Sequence, residues 1–400
     1  MSGLDVASQT RMNDLPEPSP AALALSGQLA DLLCREIAAA GGALPFSAYM
    51  ERCLYAPGLG YYSAGSRKFG SAGDFVTASE LSPLFGRCLA QTCNTVLEQL
   101  HGGDILEFGA GSGALAVDVL GELERLGRLP GRYLILERSA ELRARQQQRV
   151  AEQLPRLQER VSWLDALPEP GFTGVLLANE VLDAMPAERF HWTGTAIEQF
   201  YVTCGATGFD WHRQAARDDA LVAAVQAVQQ ACELAAGYCS EVNLSIAPWL
   251  ETVAGMLDRG LLLLSDYGFP RHEYYHPQRN RGTLMCHYRH RAHDNPLLWP
   301  GLQDITTHVD FTAVAEAGLA DGLDVTGFTS QAGFLLDCGL DKLLQASGPV
   351  DSASYLKAAQ QVKQLTLPGE MGERFAFIGL AKAVDGPLPG FRMQDRRHCL

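Results

Sequence analysis

The sequence lacks the closely spaced cysteine pairs that mark zinc ribbons and thioredoxin-like redox sites. Its 400 residues include ten cysteines, but no two of them form a C-x-x-C pair. A chain of this length can bury a sizeable core without covalent cross-links, so we expect reduced thiols in the cytosol. Five histidines between residues 272 and 293 are interleaved with arginines, and we interpret them as solvated or structural side chains. We therefore expect no metal site.

The sequence also has few basic residues, and it shows neither a recognisable secretory signal nor a long apolar run. The chain has 46 acidic and 32 basic residues, a formal net charge of -14, which argues against nucleic acid as the main partner. Residues 1–20 contain no apolar segment typical of secretory signals, and no apolar run approaches the length that spans a bilayer. We therefore expect a cytoplasmic protein without a membrane span, acting on a protein or a small molecule. The sequence leaves open whether the chain forms a homodimer.

The most informative segment that is present, residues 104–115, reads DILEFGAGSGAL. An apolar strand, an acidic residue, a glycine turn and a helix in succession predict a ligand at the carboxyl end of the first strand of an open α/β sheet. The glycine spacing is G-x-G-x-G rather than the G-x-G-x-x-G of a dinucleotide fold. The carboxylate before the turn would repel a pyrophosphate but suits a cationic ligand. We predict a cofactor site that includes Glu107, Gly109, Ala110, Gly111 and Gly113.

Two further acidic residues follow the next predicted strands. Glu137 lies 24 residues beyond Gly113, an offset at which an acidic residue accepts hydrogen bonds from ribose hydroxyls. Asp165 follows the third strand and could accept a hydrogen bond from an adenine amine. The alternative for both is plain surface charge. Because the three acidic residues end successive strands, the pattern favours S-adenosylmethionine, which carries an ammonium and a sulfonium but no phosphate.

A second polar segment, residues 179–183, follows the fourth predicted strand. Asn179, Glu180 and Asp183 would lie at the same sheet edge as the glycine turn, where an acceptor approaches a methyl group. Carboxylates can hold a guanidinium by paired hydrogen bonds, so we predict that these three residues are catalytic. The alternative is a helix start, with Asn179 as N-cap and the acidic residues complementing the helix dipole. The two roles can coexist.

The order of predicted elements favours an α/β fold with a mostly parallel sheet and helices on both faces. The predicted strands are 104–108, 132–136, 160–163 and 173–178, with helices near 114–127 and 140–153 between them. The predicted regions are a disordered tail (1–20), an N-terminal helical and cofactor-covering segment (21–100), a Rossmann-like domain (101–385) and a C-terminal tail (386–400). The N-terminal segment contains a glycine- and aromatic-rich stretch without clear period at 43–80. Two insertions are expected in the Rossmann-like domain, a hairpin and helix at about 187–245 and an ordered surface loop region at 269–305.

Several segments together resemble the MidA-like class I methyltransferases, relatives of the mitochondrial complex I assembly-factor arginine methyltransferase. The resemblance extends over residues 30–385 and rests on PFSAYM (45–50), YAPGLGYY (55–62), GDFVT (73–77), the glycine turn (107–113), NEVLDA (179–184), DYG (266–268) and GTL (282–284). It implies a class I methyltransferase fold with S-adenosyl-L-methionine as cofactor. The residues that it implies as cofactor neighbours are Gly73, Asp74, Phe75 and Thr77. Asn179 is also predicted to contact the cofactor. Ser79 departs from the family, in which proline is common at that position.

The resemblance also implies an activity, symmetric dimethylation of an arginine in a respiratory complex I subunit. Two alternatives stay open. The first is a methyltransferase that acts on a small molecule or another side chain, and the second is a non-catalytic assembly factor that binds a partner through residues 186–300. The pair Asn179-Glu180 favours an arginine acceptor, because an amide and a carboxylate suit a cation.

Overall fold

The computed structural model describes residues 15–63 and 77–400, which divide into two compact units. The sheet unit contains residues 77–182, 247–270 and 309–400, and the insertion unit contains residues 15–63, 183–246 and 271–308. Within the described ranges, no helix combines the length and the apolar character needed to cross a bilayer.

The helices are α1 (Pro20–Ala39), α2 (Phe46–Tyr55), α3 (Ala78–Leu81), α4 (Pro83–Gln99), α5 (Ala114–Arg125), α6 (Ala140–Gln153), α7 (Asp219–Cys232), α8 (Ile246–Met256), α9 (Arg271–Tyr274), α10 (Phe311–Ala320), α11 (Gln331–Asp337), α12 (Leu340–Gln345) and α13 (Ala353–Thr366). The strands are β1 (Leu44–Pro45), β2 (Asp104–Phe108), β3 (Tyr133–Leu136), β4 (Val161–Leu164), β5 (Phe172–Asn179), β6 (Glu188–Trp192), β7 (Ile197–Gly205), β8 (Gly208–Ala215), β9 (Tyr238–Val242), β10 (Leu257–Phe269), β11 (Met285–Tyr288), β12 (Arg291–His293), β13 (Asp304–Thr306), β14 (Val309–Asp310), β15 (Asp324–Ser330) and β16 (Phe375–Lys382).

The sheet unit is built on an eight-stranded sheet of order β15-β16-β10-β5-β2-β3-β4, with β14 paired to β10. Neighbouring strands from β10 to β4 are parallel, and β16 is antiparallel to both of its neighbours. The strand order reverses between β2 and β5, and ligands bind at such a switch point outside the carboxyl ends of the strands. The predicted α/β class with a mostly parallel sheet is confirmed. The four predicted strands agree with β2 to β5 to within one residue at each end.

The core of the sheet unit includes α4 and the C-terminal segment, which shifts two predicted boundaries. Phe85 of α4 packs against Phe377 of β16, with ring centroids 6.0 Å apart. The division therefore falls before Thr77 rather than at the predicted position between residues 100 and 101. Leu388 and Phe391 are 0% and 2% exposed and belong to the same core, so residues 386–400 are not a detached tail.

The insertion unit combines helices with two antiparallel sheets. Strands β1, β7, β6 and β9 are adjacent in that order, with β8 paired to β7, and β12, β11 and β13 form a smaller sheet. The predicted hairpin corresponds to β6, β7 and β8. The expected loop region at 269–305 is instead partly sheet, and its residues Cys286 and Ile305 are fully buried. The predicted disordered tail is described only from Leu15, which is 7% exposed, and α1 begins at Pro20.

Two expectations about the insertion unit are wrong. The stretch 43–80 was predicted to be aperiodic, but it contains the ten-residue helix α2, whose apolar residues face the core. The cysteines were all expected to be reduced, but Cys34 of α1 and Cys204 of β7 form a disulfide, with Cα atoms 5.5 Å apart. The reason is tertiary: α1 packs against β7 and brings together two residues separated by 170 positions.

Candidate active site

The glycine turn between β2 and α5 has the backbone conformation that its residues predict. Gly109, Gly111 and Gly113 have φ values of 60°, 52° and 82°, all in the left-handed region that favours glycine. A Cβ atom on Gly113 would lie 3.3 Å from the Cα atom of Gln146, and one on Gly109 would lie 3.6 Å from Cγ2 of Val181. The turn therefore lies against α6 on one side and against the segment after β5 on the other.

Glu107 lies on β2 shortly before the turn and is only 2% exposed. The hydroxyl of Tyr133 on β3 donates a hydrogen bond to Glu107 Oε2 at 2.7 Å. Burial raises the pKa of Glu107 to about 7, the bond from Tyr133 opposes this rise, and the charge of Glu137 adds to it. A cation bound beside this carboxyl group would favour its ionised form.

Gln146 of α6 connects the glycine turn to the ends of β3 and β4. Its Nε2 donates to the carbonyl oxygen of Gly111 at 2.9 Å and to Glu137 Oε2 at 3.1 Å. Its Oε1 accepts a hydrogen bond from Nε1 of Trp163 at 2.8 Å. The side chain is fully buried, and both amide hydrogens and the amide oxygen are used. Gln146 was not among the predicted site residues, yet it links the turn to a predicted ribose-binding acid.

The two acidic residues after β3 and β4 have different environments. Glu137 is 8% exposed, its Oε1 accepts a hydrogen bond from the backbone N–H of Ser139 at 2.8 Å, and burial raises its pKa. The side chain of Asp165 is 89% exposed and pairs with Arg143 at 2.6 Å. Arg143 also donates to the carbonyl oxygen of Glu137 at 3.1 Å, so one arginine bridges the two strand ends. The ligand roles of both acidic residues stay predictions.

Helix α3 is connected to the glycine turn through an arginine. The Oγ1 of Thr77 accepts a hydrogen bond from the N–H of Glu80 at 3.4 Å and caps α3. Glu80 pairs with Arg149 of α6 at 3.0 Å, and Arg149 donates to Ser112 Oγ at 2.6 Å. Three predicted cofactor neighbours lie outside the described residues: Gly73, Asp74 and Phe75.

The segment after β5 is a turn rather than a helix start, so the capping alternative for Asn179 is wrong. Asn179 is the last residue of β5, and Glu180 has a φ of 53°, an uncommon value for a residue with a side chain. The N–H of Glu180 donates to the carbonyl oxygen of Ser265 on β10 at 2.9 Å. Asn179 Nδ2 donates to Glu180 Oε1 at 3.3 Å. Non-glycine residues in this region are enriched at functional sites, where neighbouring contacts maintain them.

Asp266 of strand β10 binds the backbone of the segment that follows this turn. Asp266 is 1% exposed, its Oδ2 accepts a hydrogen bond from the N–H of Leu182 at 3.0 Å, and its Oδ1 accepts one from the N–H of Tyr267 at 2.9 Å. Neither Ser265 nor Asp266 was predicted as a site residue, and the DYG motif at 266–268 served only as one of the segments that carry the family resemblance.

Asp183 begins the part of the chain that belongs to the insertion unit. It is 5% exposed, and its carbonyl oxygen accepts a hydrogen bond from the N–H of Thr307 at 3.0 Å. Of the three predicted catalytic residues, Asn179 and Glu180 are joined by a hydrogen bond, and the catalytic roles of Asn179, Glu180 and Asp183 stay predictions.

The histidine segment contains an H-E-x-x-H spacing at residues 272–276, a pattern also found in zinc peptidases. That pattern needs both histidines on one helix face, but α9 ends at Tyr274. The Nδ1 atom of His276 accepts a hydrogen bond from the N–H of Gln278 at 3.2 Å. His293 is buried, and burial lowers its pKa. In the part of the chain that the structure describes, no group of three or more His, Cys, Asp or Glu residues is arranged to hold a metal ion.

Comparison with known proteins identifies relatives over nearly the whole chain. A family model of S-adenosyl-L-methionine-dependent methyltransferases matches residues 88–329. The mitochondrial protein arginine methyltransferase NDUFAF7 of Mus musculus is 27% identical over 393 residues, which cover 90% of this chain and 85% of the relative. The Drosophila melanogaster homologue is 27% identical over 402 residues, covering 92% of this chain and 88% of the relative. A crystal structure from Burkholderia thailandensis, bound to S-adenosyl-homocysteine, is 46% identical with a TM-score of 0.92 and covers 96% of this chain and 100% of its own.

Proposed function

Because the chain belongs to the S-adenosyl-L-methionine-dependent methyltransferase family, we propose that it transfers a methyl group from this cofactor to an arginine side chain of a protein. The observation that carries the proposal is the turn after β5. There the left-handed backbone of Glu180 is fixed by Ser265, and its carboxylate is oriented by Asn179. A carboxylate fixed at the switch point of the sheet suits a cationic acceptor.

The residues at the sheet edge fit S-adenosyl-L-methionine. The turn 109–113 contains three left-handed glycines and no basic side chain, while Glu107 and Glu137 lie at the ends of neighbouring strands. This donor set is unsuited to a pyrophosphate and suited to a ligand with an ammonium group and ribose hydroxyls. The cofactor supplies a methyl group already activated by its sulfonium, so the protein contributes mainly positioning and electrostatics. Asp165, Thr77, Ala110 and Asn179 complete the proposed set among the described residues.

Glu180 is the proposed acceptor-binding residue. Its carboxylate would hold the guanidinium by hydrogen bonds, orient the attacking nitrogen toward the methyl carbon and favour loss of the nitrogen's proton. Asp183, and Asp74 outside the described residues, are proposed to assist. The curated relatives named above are protein arginine methyltransferases, which supports arginine as the acceptor. The proposal extends, by the family resemblance, to symmetric dimethylation of a respiratory complex I subunit in the cytoplasm.

The test combines mass spectrometry with a matched pair of variants. Complex I subunits from cells with and without the gene are compared for methylated arginines, and the purified protein is then assayed on the affected subunit. Glu180→Gln should abolish most turnover and leave affinity for S-adenosyl-homocysteine within about twofold of wild type, because the carboxylate acts on the acceptor. Glu159→Gln, an exposed change in the same unit, should behave as wild type. Unchanged turnover in Glu180→Gln, or methylation on another kind of side chain, would refute the arginine proposal.

A further inference from the structure

Two buried side-chain oxygens lie on neighbouring strands, one at the end of β5 and the other at the position of β10 that pairs with it. Asn179 and Ser265 are register partners on these parallel strands, and Ser265 is only 2% exposed. Across residues 15–63 and 77–400, neither Asn179 Oδ1 nor Ser265 Oγ has a hydrogen-bond partner. Buried polar groups in native proteins are rarely left unpaired, so two adjacent examples at a ligand-binding edge point to a ligand.

The strand register shows which face of the sheet these oxygens occupy. Leu177 pairs with Glu107 on β2, and Asn179 follows Leu177 by two positions, so Asn179 and Glu107 lie on the same face. Ser265 lies on this face as well, because it is the register partner of Asn179. The pair therefore adds two oxygen atoms to the side of the sheet that carries the buried carboxyl group.

The chemistry of the pair selects a hydrogen-bond donor as its ligand. The Nδ2 group of Asn179 is directed to Glu180 Oε1 at 3.3 Å, which leaves Oδ1 as the open position of the amide. An amide oxygen can only accept hydrogen bonds, and a serine hydroxyl can accept as well as donate. Glu107 lies on the neighbouring strand β2 and Glu180 directly follows Asn179 in the chain, so the two nearby acidic residues favour a cationic donor over a neutral or anionic one. The fitting group is a cation that carries N–H bonds.

We propose that Asn179 Oδ1 and Ser265 Oγ together bind a cationic N–H group, which makes Ser265 a ligand-binding residue of this methyltransferase. Two ligands carry such a group, the ammonium of the cofactor and the guanidinium of the acceptor. Binding of the cofactor ammonium requires only that the protein is a methyltransferase, whereas binding of a guanidinium rests on the proposed arginine activity.

The experiment uses Ser265→Ala, which removes only the hydroxyl group, in the full-length protein. Its control is Ser162→Ala, a serine on β4 of the same sheet. Calorimetry measures affinity for S-adenosyl-homocysteine. NMR titration of the S-adenosyl-homocysteine complex measures affinity for N-acetyl-arginine amide, with N-acetyl-citrulline amide as its neutral counterpart. Thermal unfolding of the ligand-free protein is the third measurement.

Ser265→Ala should weaken one of the two ligands by about tenfold or more, as expected for one hydrogen bond to a charged group. It should not lower the unfolding temperature of the ligand-free protein, because the lost hydroxyl has no partner there. Weaker S-adenosyl-homocysteine binding assigns the pair to the ammonium, even if the protein methylates no arginine. Unchanged S-adenosyl-homocysteine binding with weaker binding of the arginine amide, but not of the citrulline amide, assigns it to the guanidinium. If both affinities stay within twofold of wild type, or only the unfolding temperature falls, the proposal is wrong.

Discussion

Replacing Gln146 by leucine tests whether one buried amide organises the cofactor edge. The change keeps a side chain of similar size on α6 but removes the hydrogen bonds to Gly111, Glu137 and Trp163. Without Gln146, the carboxylate of Glu137 loses one of the contacts that favour its ionised form, so its pKa should rise further.

The expected loss of stability follows from the groups left without partners. A buried donor or acceptor that loses its hydrogen bond costs about 1–3 kcal/mol. The indole N–H of Trp163 and the carbonyl oxygen of Gly111 are the two neutral groups affected, and Gly111 is partly exposed, so water can replace its partner. Trp163 is therefore the main neutral group left without a partner, and we expect Gln146→Leu to lower the free energy of unfolding by about 1–3 kcal/mol.

Urea unfolding measures that loss, and calorimetric titration with S-adenosyl-homocysteine measures its consequence for binding. We expect at least about tenfold weaker binding, because both the turn and Glu137 lose their support. Gln148→Leu on the same helix is the control, since Gln148 is exposed and its side-chain amide donates a hydrogen bond to Glu152 Oε1 at 2.8 Å. That control should change stability by about 0.5 kcal/mol or less. If both variants behave alike, Gln146 does not organise the edge.

Three further predictions concern acidity, backbone and covalent structure. Folding raises the pKa of Glu107 to about 7, so protonation of Glu107 stabilises the ligand-free protein at low pH. This contribution of up to about 3 kcal/mol is lost as the pH rises from about 4.5 through 7. Glu107→Gln should remove this pH dependence of the free energy of unfolding, measured by urea titrations at several pH values. Gly113→Ala should cost about 1–2 kcal/mol in the same assay and weaken S-adenosyl-homocysteine binding, because φ is 82° and the new Cβ atom would crowd α6; wild-type affinity would contradict this. Reduction of the bond between Cys34 and Cys204, or Cys34→Ala, should lower the free energy of unfolding by about 2–4 kcal/mol, and equal unfolding curves with and without reductant would show that the bond contributes nothing.

The parallel sheet could be predicted because each strand is a short apolar run bounded by turn residues. The glycine turn could be predicted equally well, because the left-handed backbone at residues 109, 111 and 113 favours glycine. Helix α2 could in principle have been predicted as well. Its buried residues Phe46, Met50 and Leu54 are spaced by four, but the neighbouring prolines and glycines indicated a loop.

The role of Gln146 and the pairing of the disulfide could not be predicted from the sequence, for two different physical reasons. A glutamine on a helix normally faces solvent, and only its position between the buried Leu142 and Val150 marks it as part of the apolar stripe. Cysteine pairing over 170 residues depends on which elements pack together, and connectivity cannot be deduced from spacing alone.

The features that local sequence predicts are those set by backbone chemistry, and the features that it misses are hydrogen bonds between elements. At the cofactor edge the first kind includes the glycine turn and the acidic strand ends. The second kind includes Gln146, Ser265 and Asp266, each of which connects one strand end to the next. A polar residue that lies in an apolar stripe, or that directly follows a buried strand, can satisfy its hydrogen-bonding groups only through such connections or through a ligand. Searching apolar stripes and strand ends for isolated polar residues should therefore identify the supporting residues of a site that motif spacing alone passes over.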